Sequence, residues 1–132
     1  MATVNNTLTL TSNDLTTDAL SLVVLNTLAG ATQGGITRVK LATNVVANAT
    51  VLATAEQYPA GSKVFLHNPS TTTDGTERIN VSLDETNKQI VLKGGDWALF
   101  PWNGAGIAAP KDIEAWGETA AGQVLEYVVF GA

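Results

Sequence analysis

A chain of 132 residues with a formal net charge of −5 has room for one domain and one core. Its seven basic residues are scattered rather than gathered into a stripe, which argues against direct nucleic-acid binding, and its lack of cysteine removes disulfide scaffolds, thiolate metal sites and cysteine nucleophiles together. Only 14% of its residues are charged, against about 25% in ordinary soluble domains, so the surface leans on Thr, Asn, Ser and Gly or is partly covered by other chains.

Residues 1–14 lack the positive and apolar regions of a secretory signal and read as an N-terminal arm, extended, in which Leu8 and Leu10 alternate with threonines. The longest apolar run, Leu22–Leu25, is far short of the roughly 20 residues a membrane span needs, so synthesis in a cytoplasm without membrane contact is expected. From residue 15 to 132 a single β-sandwich domain is expected. Its first segment, Thr17–Gly30, offers Asp18 and Gly30 as helix caps, but its β-branched content and the alternation of Leu20, Leu22 and Val24 favour a strand. Ile36, Arg38 and Lys40 alternate with Thr37, Val39 and Leu41, one mixed face and one apolar.

Lys63–His67 reads as a strand reached through the turn residues Pro59–Ser62 and left through Asn68–Ser70. Residues 77–83 and 88–93 form a hairpin across Asp84–Asn87, with Ile79, Val81 and Leu83 on one face, where Ile90 and Leu92 can meet them. After Gly94-Gly95 come a strand at Asp96–Pro101, a Gly/Ala/Pro-rich loop at Asn103–Pro110, a strand near Asp112–Trp116 and a last strand at Val124–Phe130. About ten short strands with regular turn signals point to an all-β, two-sheet sandwich, jelly-roll-like.

Nothing in the chain assembles into a catalytic, cofactor or metal site. His67 is the single histidine and has no cooperating nucleophile or ligand in the pattern. The pairs Asp112/Glu114 and Asp84/Glu85 are better read as a solvated strand face and a polar turn than as paired acids of a hydrolase. Gly104-Ala105-Gly106-Ile107-Ala108-Ala109 imitates a dinucleotide fingerprint, but Pro110 and the absence of a following helical pattern make it a loop. The triplets at Asn5, Asn48 and Asn80 are by-products of an Asn/Thr-rich chain.

The aromatic segment GGDWALFPWNGAG, from Gly94 to Gly106, is the remaining signal. Alternation separates Trp97 and Leu99 from Ala98 and Phe100, and Pro101, lacking an N–H, belongs at an edge or a strand end. The expected core is Phe65, Ile79, Val81, Leu83, Ile90, Leu92, Trp97 and Leu99. Phe100, Trp102 and Trp116 are the candidates for contacts between subunits or with a partner, because tryptophan buries a large area and keeps an N–H donor.

The half of the chain from Lys63 to Phe130 resembles small virion structural proteins of tailed bacteriophages, through a turn of the G-G-D-W-x-x-F-P-W kind and two later strands. The positions are Gly95, Trp97, Phe100, Pro101, Trp102, then Asp112 and Ile113, then Leu125, Glu126 and Tyr127. The resemblance implies a non-enzymatic β-sandwich protein of the virion, made in the host cytoplasm and assembled in several copies. A capsid decoration (cement) protein on the capsid surface is its first implication, often a homotrimer seated on the major capsid protein, with the N-terminal arm as a strap. The alternative is a neck, tail or fibre-associated module that recognises host-surface glycans, with Trp102 stacking on a sugar.

Overall fold

The computed structural model describes residues 2–14, 20–31, 35–41, 46–58, 62–104, 111–118 and 122–131. Asp18, the turn residues Pro59–Gly61 and the loop residues 105–110 lie outside them. The chain divides into two units, Met1–Thr32 and Gln33–Ala132. Among the described residues there are ten strands and no helix long and apolar enough to cross a membrane.

The first unit is a two-stranded antiparallel hairpin of β1 (Ala2–Ser12) and β2 (Leu20–Ala31). From Leu20 onward, the segment that could have been capped as a helix is therefore a strand. Residues 2–12 are not a lone extended arm: their backbone pairs with β2 from Val4 opposite Leu28 to Ser12 opposite Leu20. Each residue of the ladder shares a face with the one opposite it, which couples the alternation of Leu8 and Leu10 to that of Leu22 and Val24. The unit boundary accordingly falls after β2, not after residue 14.

The second unit is all-β. Its strands are β3 (Thr37–Lys40), β4 (Thr50–Ala53), β5 (Ser62–His67), β6 (Ile79–Ser82), β7 (Ile90–Leu92), β8 (Trp97–Trp102), β9 (Ile113–Gly117) and β10 (Val124–Phe130). They form two four-stranded sheets in the orders β3-β10-β5-β8 and β4-β9-β6-β7. Every pairing is antiparallel. Val64, Leu66, Leu125 and Val129 from the first sheet and Ile79, Val81, Leu92, Ile113 and Ala115 from the second close one core between them.

The β6–β7 hairpin matches its sequence pattern, with Ile79 opposite Leu92, Val81 opposite Ile90, and Leu83 and Ile90 partly buried against the core. Its turn closes on Asp84, whose carboxylate accepts the backbone N–H groups of Thr86 (3.0 Å) and Asn87 (2.7 Å) while Glu85 takes a positive φ of 62°.

In β8 the expected phase is reversed. Trp97 is 54% exposed and Leu99 39%, whereas Ala98, Phe100 and Trp102 pack against the core. Phe65 is likewise on the outer side of β5, with Val64 and Leu66 inside. The reason lies in pairing. Trp97, Leu99 and Pro101 stand opposite His67, Phe65 and Lys63, and Lys63 and His67 face outward and carry their cross-strand neighbours with them. Inside, Leu66 meets Ala98, Val64 meets Phe100 and Ser62 meets Trp102, so large and small side chains alternate. Pro101 is tolerated because β8 is an edge strand.

Candidate functional site

The outer face of sheet β3-β10-β5-β8 is where exposed aromatic surface and charge meet. Each strand sends alternate residues outward, and the registers align them in rows. One row runs Arg38, Glu126, His67, Trp97 across all four strands; the next is Val128, Phe65, Leu99; a third is Phe130, Lys63, Pro101.

Glu126 is the hinge of the first row. Its Oε1 accepts from Arg38 Nε at 2.6 Å, and its Oε2 lies 2.7 Å from His67 Nδ1. A carboxylate only accepts, so His67 Nδ1 carries the proton and donates. The hydrogen bond from His67, reinforced by the guanidinium of Arg38, holds the Glu126 carboxyl below its ordinary range. The His67 ring also stacks on Phe65, with centroids 6.4 Å apart and planes 28° from parallel. Cross-strand pairing, an ion pair and a ring stack thus fix the polar end of the face beside the exposed indole of Trp97.

The turn before β8 fixes where that indole emerges. Asn68 N–H donates to Asp96 O (3.0 Å), Gly95 N–H donates to Asn68 O (2.9 Å), and Asp96 Oδ2 accepts from Lys93 N–H (2.9 Å). The buried Asn68 side chain donates to the carbonyls of Glu77 (2.8 Å) and Leu92 (3.1 Å), which ties the turn to the second sheet. Gly94 and Gly95 serve different needs there. A Cβ on Gly94 would stand 2.3 Å from Thr72 O and 2.8 Å from Ser70 O, while Gly95 has open space around it and a φ of +84°.

The site residues expected from sequence sit elsewhere. Phe100 and Trp102 face inward, and Trp102 meets Tyr58 with ring centroids 5.7 Å apart. Trp116, expected to be partly exposed on the face of Asp112 and Glu114, is 6% exposed. The 3-10 turn Val46–Asn48 lies against β9, and Val46, Asn80, Lys88 and Glu118 line one pocket together with Trp116. Asp112 is a structural acceptor, taking the Ala55 N–H at 2.8 Å. Burial raises the Glu114 pKa, and the nearby carboxylates of Glu85 and Asp112 raise it further.

Comparison with protein-family models, curated proteins and solved structures finds no match. The face must be read from its own chemistry.

Among the described residues no group of three or more His, Asp or Glu side chains could hold a metal ion. Glu126 has both oxygens engaged, so this carboxylate orients its neighbours. What the face offers is an apolar group of Trp97, Leu99 and Phe65 beside the Arg38–Glu126–His67 row, with Lys40 and its cross-strand neighbour Val124 beyond that row. Such a surface suits docking against a protein or stacking on a ring. The signal for it in the sequence was the placement of Lys63 and His67 two residues to either side of Phe65, which marks that side of β5 as the outer one.

Proposed function

We propose that this chain is a non-enzymatic virion structural protein of a tailed phage, a capsid decoration protein that works in several copies, binds the major capsid protein and stabilises the head. The observation that carries the reading is the exposure of Trp97 and Leu99, in the segment through which the chain resembles virion proteins, on a face already stiffened by the Arg38–Glu126–His67 row. A chain placed across neighbouring capsomers adds contacts that expansion of the shell has to break, and stable contacts of that kind bury about 1,200–2,000 Å².

Strand order supports the same reading at the level of fold. Counted from β3, the two sheets run 1-8-3-6 and 2-7-4-5, an interleaving in keeping with a jelly-roll reading, and jelly rolls serve viral capsid and lectin domains. One fold serves many functions, so the outer face has to carry this one. The test is binding of the purified chain to expanded and unexpanded shells. Saturable binding to expanded shells that falls at least tenfold in Trp97→Ala/Leu99→Ser is expected. No binding to either shell sinks the proposal.

Recognition of host-surface glycans is the second reading, favoured by an exposed indole beside fixed polar groups. It moves from Trp102, which packs partly buried against the core, to the exposed Trp97. Quenching of Trp97 fluorescence by host polysaccharide, lost in Trp97→Phe, would select it over capsid binding.

A further inference from the structure

Basic residues that are scattered in the sequence gather on one face of the sandwich. Arg38 stands opposite Glu126 and Lys40 opposite Val124, on the side of β10 away from the buried Leu125, and Lys63 shares the outer side of β5 with Phe65 and His67. Among the described strand residues on that side, Glu126 is the sole carboxylate. Three of the seven basic residues therefore share a face with one of the twelve acidic ones, in a chain of net charge −5.

The pairing of these charges leaves a surplus. Arg38 is matched by Glu126, whereas among the described residues Lys40 and Lys63 make no ion pair. Elsewhere on the sandwich, Lys88 and Lys111 are paired with Glu118 (3.3 Å) and Glu85 (3.1 Å). Lys40 is also held in place. Gly122 N–H donates to Leu41 O (2.6 Å), Leu41 N–H donates to Gln123 O (2.7 Å), and a Cβ on Gly122 would stand 2.9 Å from Lys40 Cε, so the lysine stem lies against this clamp.

The registers place the two unmatched ammonium groups at opposite ends of the face. Lys40 precedes the Arg38–Glu126–His67–Trp97 row and Lys63 follows the Val128–Phe65–Leu99 row, which separates them by about 20 Å along the strands. Trp97, Leu99 and Phe65 occupy the rows between. A second copy of the same face would bring like charges together. A phosphate or sulfate polymer is tracked by an unbroken basic stripe, which the apolar rows interrupt. A protein surface with an apolar patch between carboxylates matches both the ends and the middle.

We propose that the outer face of sheet β3-β10-β5-β8 docks an acidic protein surface, with carboxylates meeting Lys40 and Lys63 and an apolar patch between them covering Trp97, Leu99 and Phe65. The proposal rests on the reading that this face is where the protein binds, and supplies the chemistry of what it meets. Within residues 33–132 the other nine acidic residues outnumber the other four basic ones, so the field of the sandwich turns this face toward a negative partner.

His67 is the only histidine in the chain and lies between the two lysine rows, so its imidazole NMR signals report on this face alone. The probe is a synthetic peptide with four leucine and tryptophan residues between two pairs of glutamates, titrated into the full-length protein. It is expected to shift the His67 signals saturably, with a Kd that rises at least tenfold from about 0.01 M to about 0.15 M salt, over which the screening length falls from about 30 Å to about 8 Å. Lys40→Glu/Lys63→Glu should weaken binding at least tenfold, and Lys88→Glu/Lys111→Glu, of the same net charge, less than twofold. The absence of a saturable shift, equal weakening by both lysine pairs, or equal binding of duplex DNA overturns the acidic-partner proposal, even if expanded shells are bound. A chain that binds the peptide in this way and ignores shells leaves the proposal standing and removes the capsid reading.

Discussion

At the scale of single residues, the two glycines before β8 are adjacent in sequence and separable by mutation. Gly94→Ala forces a methyl group into two backbone carbonyls, and overpacking of this kind costs about 3 kcal/mol. Gly95→Ala meets open space and loses only the left-handed preference, about 1 kcal/mol, with Gly95→Asn cheaper still. Urea unfolding of the three variants checks the order. Acid sensitivity is also a residue property. Glu126 is held below its ordinary value of 4.5 by His67 and then Arg38, and the Asp84 carboxyl is held low by the Asn87 side chain and backbone. Both folded pKa values lie under the unfolded ones, so their stabilisation is complete above the unfolded pKa and is lost as pH falls through the folded values. Unfolding midpoints should therefore decline below about pH 4.5, and less steeply in Glu126→Gln/Asp84→Asn. Glu114 has the opposite sign: burial and two neighbouring carboxylates raise its pKa, so its charge opposes folding at neutral pH. Glu114→Gln should raise the midpoint at pH 7 and gain nothing at pH 3, where the native side chain is already protonated.

At the scale of elements, the decisive case is β8. Phe100→Ala removes a ring packed on the core and should cost about 3 kcal/mol, whereas Trp97→Ala removes a larger ring from the outer face and should change stability by less than about 0.5 kcal/mol. Equal losses would mean that the strand faces the other way. The contrast also shows why some elements were legible in the sequence and others were not. In β6 the residues alternate between apolar Ile79 and Val81 and polar Asn80 and Ser82, so the pattern alone sets the inner face. In β8 both faces are apolar, and alternation divides the residues without saying which set is inside. That information sits in the preceding partner strand, in Lys63 and His67, and reaches β8 only through cross-strand pairing. The short β4, Thr50–Ala53, had no polar face to announce it and is interrupted by a register shift between Val51 and Ala53. The candidate site was hidden for the same reason: its rows join residues from four strands distant in sequence. The Arg38–Glu126 contact spans 88 positions.

For the whole molecule, the buried core cluster of the described residues lies beyond residue 33, on strands β4, β5, β6, β7, β9 and β10 and the Leu41 that follows β3. Removing residues 1–32 should therefore leave a fragment that unfolds cooperatively, with a midpoint within a few degrees of the full chain measured at high dilution. Loss of cooperativity in the fragment would mean that the sandwich depends on the hairpin. The sheet order has a further consequence, which concerns time more than stability. β10 lies between β3 and β5, so an interior position of one sheet is filled by the last strand of the sandwich to be synthesised. Until translation reaches Phe130, β3 has no neighbour and Leu66 and Val64 lack part of their cover. The ribosome can therefore release no half-built sandwich that is stable. The nascent chain must wait, with its apolar strands open, and then close in one late and non-local step. With so few charges to keep those strands apart, this topology is expected to depend on chaperones during synthesis more than on the firmness of the finished fold.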